Sequence, residues 1–172
     1  MSLRSLRHFR IDLDTDRDYI LERHCRINYQ CDTPWARKIP YETYRANWFA
    51  LAGQQEGFLS ALAESMEDPC TIAEIIKTES SETAGYLWVP FHSEDAAFVW
   101  ADVQDIYVEE PFRKINVASY LMDYAEKAAA QNGAKVIRSG TGCENVKSQG
   151  LFRKMGYYQY RMEYEKVLEG SL

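Results

Sequence analysis

Apolar and polar positions change period along the chain, and these changes predict the order of its elements. Alternation over Arg7 to Ile11 predicts a short strand. Helical spacing of apolar positions then predicts a helix from about Asp14 to Cys31, whose first residues suit a helix N-terminus. A second helical region runs from Tyr41 to about Met66, and Gly53 and Gly57 are the points where it would divide in two.

The period shortens to that of β-structure after residue 69. Residues Cys70 to Lys77 and Ala84 to Phe91 are rich in β-branched and aromatic side chains, which predicts two strands joined as a hairpin. His92 to Asp95 is predicted to be a second turn, and Ala97 to Val108 a third strand. The middle of the chain is therefore expected to form an antiparallel meander.

The last third of the chain contains the clearest helical pattern. Asn116 to Asn132 is apolar on one side, and Gly133 is positioned to end it. Lys135 to Arg138 is predicted to be a short strand, and Asn145 to Lys154 a further helix. Alternating aromatic residues from Tyr157 to Val167 predict a last strand.

The order of these elements predicts one domain, residues 1–172, without an internal repeat or linker. The strand that ends at Val108 has to cross over, through the following helix, to a parallel neighbour at residues 135–138. The expected fold class is α/β (α+β): a mixed, mostly antiparallel central sheet flanked by helices, with one parallel βαβ crossover. Ligands of open α/β sheets bind where neighbouring strands diverge, which places the cleft beside residues 111–121.

The net charge and the cysteine spacing argue against several classes of partner and site. The chain has 26 acidic and 20 basic residues, a net charge of −6, which argues against nucleic acid and membrane surfaces as partners. The N-terminal residues lack a signal-peptide core, and no apolar run of about 18 residues occurs, so a soluble cytoplasmic protein is expected. The four cysteines form no Cys-x-x-Cys pair and have no histidine at metal-ligand spacing, so neither a metal site nor a disulfide framework is predicted.

The strand-to-helix junction PFRKINVASYL, residues 111–121, carries the first candidate chemistry. A helix N-terminus presents unpaired backbone N–H groups and the positive end of the helix dipole, so it binds anions, pyrophosphate in particular. Ala118 and Ser119 are small, Asn116 tolerates left-handed geometry, and Arg113 and Lys114 are positively charged. An ordinary helix cap after a basic loop would use the same residue types, so the junction alone leaves both interpretations open.

Two stretches resemble motifs of the GNAT superfamily of N-acetyltransferases. YVEEPFRKINVASYLMDYAEKAA resembles its cofactor-binding motif, a strand ending in V-x-P-x-x-R, then R/Q-x-x-G-x-G/A and an amphipathic helix. Arg113 matches the first motif position and Ala118 the last, whereas Asn116 stands where glycine is usual. NVKSQGLFRKMGYYQY is similar to the family's N-x-x-(A/S)-x-x-L-Y-x-K-x-G-F/Y element, which it matches at Asn145, Ser148, Leu151, Lys154, Gly156 and Tyr157.

This resemblance implies an acetyl-CoA-dependent N-acetyltransferase that moves the acetyl group directly to an amine of a small molecule or a protein. It implies acetyl-CoA as co-substrate and no metal, and it leaves a homodimer open. The alternative is a GNAT-fold module that binds an acyl-CoA without turnover, favoured by Asn116 and by Phe152, which replaces the usual general-acid tyrosine. The cofactor-binding residues implied are Ile106, Tyr107, Val108, Arg113, Lys114, Ile115, Asn116, Val117, Ala118, Ser119, Asn145 and Phe152.

Acetyl transfer to an amine also needs a base and a proton for the departing thiolate. Asp102 and Asp105 are the candidate bases, and regular alternation would point them to opposite faces unless a bulge intervenes. Solvated carboxylates at a sheet edge would give the same sequence. With phenylalanine at residue 152, the candidate proton donors are Tyr157, Tyr158 or a water.

The remaining reactive and aromatic residues have structural interpretations beside functional ones. Cys143 could take part in an acyl-cysteine route or be a small buried thiol. His24 and His92 are expected to be an ordinary helix residue and a turn residue. Most N-terminal aromatic residues should be core, with one or two lining an amine pocket near Glu42 or Asp32; they are Tyr19, Tyr29, Trp35, Tyr41, Tyr44, Trp48 and Phe49.

Overall fold

The structure, a computed structural model, describes residues 3–51, 53–95 and 98–168. Its helices are α1 (Arg17–Cys31), α2 (Tyr41–Ala50), α3 (Gln54–Ser65), α4 (Val117–Gln131) and α5 (Val146–Lys154). Its strands are β1 (Arg7–Arg10), β2 (Ile72–Lys77), β3 (Thr83–Val89), β4 (Phe91–Asp95), β5 (Phe98–Val103), β6 (Asp105–Val108) and β7 (Val136–Ser139). Short 3-10 turns lie at Leu3–Ser5, Ala36–Lys38 and Glu110–Phe112.

The described strands form two sheets, one of four strands and one of three. One sheet has the order β1-β2-β3-β6 and is antiparallel throughout. The other has the order β4-β5-β7, in which β5 and β7 are parallel, with Trp100 opposite Val136 and Val103 opposite Ser139. The predicted α/β class, with mostly antiparallel strands and one parallel crossover through α4, is confirmed.

Two hydrophobic cores lie on opposite faces of the four-stranded sheet. Because alternate side chains of a strand point to opposite faces, Ile76 and Leu87 pack with α4, whereas Ile75 and Tyr86 pack with α1, α2 and α3. All four of these side chains are essentially inaccessible to solvent. The strand β6 therefore lies between the α1 side and the α4 side of the molecule.

The strand predicted from Ala97 to Val108 is two strands, because the chain bulges at Gln104. The backbone N–H of Gln104 donates to the carbonyls of Trp88 (3.1 Å) and Asp102 (2.9 Å). Asp105 is also paired with Trp88, so two consecutive residues oppose one, as in a β-bulge. Before the bulge, β5 pairs in parallel with β7. After the bulge, β6 pairs with β3 and not with β7, so a gap opens between β6 and β7. The predicted start at Ala97 lies outside the described residues.

Two other secondary-structure predictions are wrong. The predicted turn His92–Asp95 belongs to β4, because the chain continues after Pro90 as a strand that places His92 opposite Trp100 of β5. The predicted last strand, Tyr157–Val167, has no regular secondary structure, and residues 158–168 are exposed. An alternating pattern provides an apolar face for a strand, but the backbone of a strand also has to hydrogen-bond with a neighbouring strand. No described strand pairs with this segment.

The predicted division of the second helical region occurs at Gly53, while Gly57 lies within α3. Gly53 has φ of +81°, a left-handed conformation that side chains other than glycine rarely adopt. In the part of the chain that the structure describes, no helix has the length and apolar character needed to cross a bilayer. The same residues contain no cluster of three or more His, Cys, Asp or Glu side chains placed to hold a metal ion.

Candidate active site

The start of α4 presents a row of free backbone donors. Lys114 and Asn116 both adopt left-handed conformations, with φ of 64° and 67°, and so turn the chain into the helix. The first helical bond runs from the Tyr120 N–H to the Asn116 carbonyl at 3.0 Å. Within residues 3–51, 53–95 and 98–168, no acceptor is bonded to the N–H groups of residues 114–119. These donors lie at the positive end of the helix dipole and can surround an anion.

Positive charge reaches this turn from α5. The Lys154 ammonium donates to Asn116 Oδ1 at 3.2 Å and to Ser119 Oγ at 3.3 Å. An ammonium at the positive end of a helix is electrostatically unfavourable by itself and becomes favourable when an anion lies between them. The sequence motif contains Lys154, but sequence reasoning gave it no role at the turn.

The charge of Arg113 suggests an anion ligand, but its side chain bonds to residues of β6. Its Nε donates to the Val108 carbonyl at 2.9 Å, and its Nη2 donates to the Tyr107 hydroxyl at 3.0 Å. Its guanidinium also lies 5.4 Å from the Tyr107 ring centroid. Arg113 therefore fastens the turn to the end of β6, while Lys114 of the same turn is exposed.

The backbone of β6 has one unpaired edge. Glu109 N–H donates to the Ala84 carbonyl at 2.8 Å, and Tyr107 lies opposite Tyr86 in the ladder with β3. Because pairing alternates in an antiparallel ladder, the N–H groups of Ile106 and Val108 point away from β3. No strand occupies that side of β6 in the described sheets. Two donors therefore face the gap that opens beyond the bulge.

Asp105, a predicted site residue, is a buried acceptor rather than an open one. It is 2% exposed. His24 Nδ1 lies 2.7 Å from Asp105 Oδ2, and the Tyr86 hydroxyl donates to the same oxygen. Burial and then the Asp105 carboxylate raise the pKa of Tyr86 well above its usual range, so the hydroxyl keeps its proton and donates.

His24 is the residue that sequence reasoning missed, having been expected to be an ordinary helix residue. Its ring stacks on Phe58 with centroids 3.8 Å apart, and Trp48 contacts it edge-on at 6.0 Å. Asn28, one helical turn further along α1, places its Nδ2 3.0 Å from His24 Nε2. The spacing of His24 and Asn28 is visible in the sequence, but nothing in it links His24 to Asp105, which lies 81 positions away.

A cavity of about 600 Å³ lies on the α1 side of the sheet, next to this cluster. Its volume is in the range of small-molecule sites in proteins. Asp105 is not among the residues that line it in the described structure; these are His24, Gly53, Gln54, Gly57, Phe58, Trp88 and Gln104. The aromatic residues predicted for such a wall are elsewhere: Tyr29 contacts Tyr41 and Tyr44 at centroid distances of 5.3 and 5.1 Å.

Asp102 and Asp105 share a side of the sheet, as expected where a bulge interrupts the regular alternation. Ala101, Val103 and Ile106 all pack in the core that contains α4, so both carboxylates face away from that helix. In a regular strand, side chains three positions apart point to opposite faces. The extra residue at Gln104 shifts the alternation by one position, so these two side chains point to the same face. Gln104 Nε2 donates to Asp102 Oδ2 at 3.1 Å, and burial raises the pKa of Asp102.

Tyr157 lies far from these groups. Its hydroxyl is buried near Glu126 of α4, and burial and then the Glu126 charge raise its pKa. Glu126 follows Val117 by nine residues, which is about 13 Å along the helix axis. The Tyr157 ring packs 5.6 Å from that of Phe152, beside the α4 core. This position gives no support to Tyr157 as a proton donor in the gap.

The remaining candidates from the sequence are Asn145, Cys143 and Tyr158. Asn145 caps α5, since its Oδ1 accepts a hydrogen bond from the Ser148 N–H at 3.3 Å. The Cys143 thiol is exposed, which excludes the expectation of a buried thiol. Tyr158, the alternative proton donor, is 81% exposed.

Comparison with known proteins adds a family and a fold. The sequence profile described as "Acetyltransferase (GNAT) family" matches residues 24–157, well over half of the chain. No curated protein is similar enough in sequence to match. The fold is similar to that of YycN from Bacillus subtilis, with 16% identity, a TM-score of 0.71, and coverage of 95% of this chain and 98% of that one.

Two further solved structures share the fold at low sequence identity. Aminoglycoside N-acetyltransferase AAC(6')-Iy, in complex with CoA, has 14% identity and a TM-score of 0.58, with 95% of this chain and 93% of that one covered. Glucosamine-6-phosphate N-acetyltransferase from Arabidopsis thaliana has 10% identity and a TM-score of 0.60, with 95% of this chain and 99% of that one covered.

Proposed function

The chain belongs to the acetyltransferase (GNAT) family, and from that membership we propose that it transfers an acetyl group from acetyl-CoA directly to an amine. The observation that carries the proposal is the row of free N–H groups at residues 114–119. Within the described residues, no side chain caps the start of α4, so these donors remain open to a ligand. The complex of a structurally similar acetyltransferase with CoA supports the same co-substrate.

The residues at the turn fit the charge and shape of a diphosphate. The N–H groups of residues 114–119 would hold its oxygens, and the Lys154 ammonium would add a mobile positive charge beside Asn116 and Ser119. The free N–H groups of Ile106 and Val108 would bond carbonyl oxygens of the acyl and pantetheine portions. Acetyl-CoA then supplies an activated acyl group, and the chain supplies position and hydrogen bonds.

Direct transfer needs no covalent intermediate on the protein. Holding the amine and the thioester together contributes on the order of 7 kcal/mol or more in the best cases. The Phe152 side chain cannot donate a proton to the departing sulfur. A CoA thiol has an ordinary thiol pKa of about 8.5, so its thiolate leaves without a dedicated acid.

Calorimetric titration of acetyl-CoA tests the proposal. We expect one site per chain, and we expect Ala118→Glu to weaken binding at least tenfold, because it places a negative charge among the donors. Lys127→Glu, at an exposed position further along α4, is the matched control and should bind as the wild type does. Absence of binding up to millimolar acetyl-CoA would show that the proposal is wrong.

A binding module without turnover is the second candidate, and Phe152 is the observation that favours it. The two candidates differ in thiol release, which is measured with a thiol reagent while acetyl-CoA is mixed with a panel of primary amines. Release that depends on the amine supports the transferase. Tight binding with amine-independent background release across the panel supports the module.

A further inference from the structure

We propose that His24 is the general base of this transferase and that the cavity beside it holds the acceptor, a primary amine on a small molecule. The inference rests on the proposed function, because it assigns a role within that reaction. It replaces the candidate bases Asp102 and Asp105 with a residue of α1.

Asp105 is placed to orient a base and not to be one. Its Oδ2 accepts hydrogen bonds from both His24 and Tyr86, and the residue is 2% exposed. The cavity is lined by His24 and not by Asp105 in the described structure. A general base must come within hydrogen-bond reach of the proton it removes, and of these two residues it is His24 that borders the cavity.

The contacts of His24 define which ring nitrogen can accept a proton. An ionised carboxylate only accepts hydrogen bonds, so His24 Nδ1 carries the hydrogen in its bond to Asp105, and the lone pair of the neutral ring is on Nε2. The Asn28 amide group, 3.0 Å away, donates to that lone pair. Phe58 and Trp48 hold the ring plane by stacking and edge contact.

Asn28 can serve both protonation states of His24. Its carboxamide presents N–H groups on one side and an oxygen on the other, so rotation of the amide by half a turn converts a donor to Nε2 into an acceptor from Nε2–H. Because the Asn28 amide occupies Nε2 when no amine is bound, an acceptor amine has to displace it before Nε2 can take the proton. We class Asn28 and Asp105 as positioning residues.

The cavity wall indicates the kind of acceptor. Trp88 and Phe58 offer aromatic surface, and Gln54 and Gln104 offer neutral amide groups. A small primary amine with an apolar or flat portion and neutral hydrogen-bonding groups fits this lining. Gly57 lies on α3, and a Cβ added there would meet nothing within 4 Å, so its side of the cavity is open.

Protons and electron pairs balance in the proposed transfer of the acetyl group to the amine. An N–H bond of the ammonium breaks, its proton passes to His24 Nε2, and the electron pair stays on the amine nitrogen. That nitrogen bonds the thioester carbonyl carbon, and the C–S bond breaks with its electron pair on sulfur. The second N–H proton of the amine goes to the thiolate, and His24 returns its proton to solvent.

The charged surroundings of His24 come from the sheet. Asp105 of β6 contacts the ring, and Tyr86 of β3 contacts that carboxylate. From α2 and α3 the ring meets the uncharged Trp48 and Phe58, and from its own helix Asn28.

The first test compares His24→Asn with the wild type in the presence of an amine that the wild type acetylates. We expect kcat to fall about 100-fold or more near pH 7, because the asparagine amide can bond Asp105 but cannot accept a proton. The loss should shrink at alkaline pH, where solvent deprotonates the amine, and acetyl-CoA affinity should stay within about twofold. His92→Asn, an exposed histidine on β4, is the matched control and should be unaffected.

The second test uses Gly57→Leu, which adds a side chain to the cavity wall on a helix that favours leucine over glycine. We expect KM for the amine to rise at least tenfold while acetyl-CoA binding is unchanged. An unchanged KM would overturn the assignment of the cavity to the acceptor. Unchanged activity and pH profile in His24→Asn would overturn the assignment of the base.

A third measurement needs no substrate. Long-range ¹H–¹⁵N NMR correlation on the imidazole of His24 should show Nδ1 protonated and Nε2 unprotonated in the neutral ring. An Nε2–H tautomer would overturn the proposal whatever the activity of the protein. Failure of the wild type to bind acetyl-CoA would instead refute the proposed function, so the two failures are distinguishable.

Discussion

At the scale of single residues, the turn before α4 shows how backbone conformation carries chemistry. Lys114 and Asn116 hold left-handed φ values of 64° and 67°, where glycine would be free of strain. Left-handed geometry costs an ordinary L-residue roughly 1–2 kcal/mol, and asparagine less than most. Both residues belong to the turn whose N–H groups have no acceptor in the described structure, so this strain accompanies the row of free donors.

Replacing Asn116 separates this conformational requirement from side-chain chemistry. We expect Asn116→Ala to lower the free energy of unfolding by about 1 kcal/mol, since alanine is strained in the left-handed region. Asn116→Gly is the control and should be as stable as the wild type or slightly more so. Chemical denaturation followed by circular dichroism measures both, and equal stability of the alanine variant would contradict the left-handed assignment.

At the scale of elements, predictability followed the range of the interactions. The α4 helix and its turn were predictable because the apolar stripe and the small, tolerant residues lie within a single local stretch. The split between β5 and β6 was not predictable, because the bulge is set by pairing of Gln104 and Asp105 with Trp88. The turn at residues 92–95 was misassigned for the same reason, since its polar side chains sit on a paired strand.

The position of α5 beside the α4 turn gives a prediction for Lys154. We expect Lys154→Ala to weaken acetyl-CoA binding by about tenfold, a loss of about 1.4 kcal/mol, and to reduce the salt dependence of binding because one cation is removed. Lys147→Ala, at an exposed position of the same helix, is the control. Titration at two ionic strengths measures both effects, and an unchanged affinity would place Lys154 outside the site.

The segment after α5 gives a prediction about stability. Residues 158–168 are exposed, so a chain truncated after Tyr157 should change the free energy of unfolding by less than about 1 kcal/mol. Truncation after residue 150 is the control and should destabilise by several kcal/mol, because Leu151, Phe152 and Met155 pack against the α4 core. A large loss of unfolding free energy on truncation after Tyr157 would mean that the terminal segment packs more tightly than described.

At the scale of the whole molecule, the candidate site joins parts that the chain keeps far apart. His24 comes from α1, Tyr86 from β3 and Asp105 from β6, and only the folded sheet brings them to one oxygen. The sequence therefore indicated Asp105 and the α4 turn as candidates, because their signals are local, and did not indicate His24, because its partner is remote. Family resemblance could not supply it either, because the N-terminal third carries no diagnostic motif.

Two half-buried carboxyl groups make the free energy of unfolding depend on pH. Burial raises the pKa of Asp102 and Glu126 above their ordinary values of 3.8 and 4.5. The folded protein therefore holds these protons more tightly than the unfolded chain, so their stabilisation is present at acid pH and lost as pH rises through the raised values. The double variant Asp102→Asn, Glu126→Gln should lose less stability than the wild type between about pH 4 and pH 7. Denaturation across that range measures the slope, and parallel curves would contradict it.

The tryptophans at the cavity make intrinsic fluorescence a probe of this site. Trp88 lines the cavity, and its indole N–H donates to Ser65 Oγ at 2.9 Å, while Trp48 meets the His24 ring edge-on. Indole emission responds to local polarity and is quenched by a neighbouring imidazolium. Intrinsic fluorescence should therefore change both when an amine enters and when His24 gains a proton, which allows acceptors to be screened without a label and before any turnover is known.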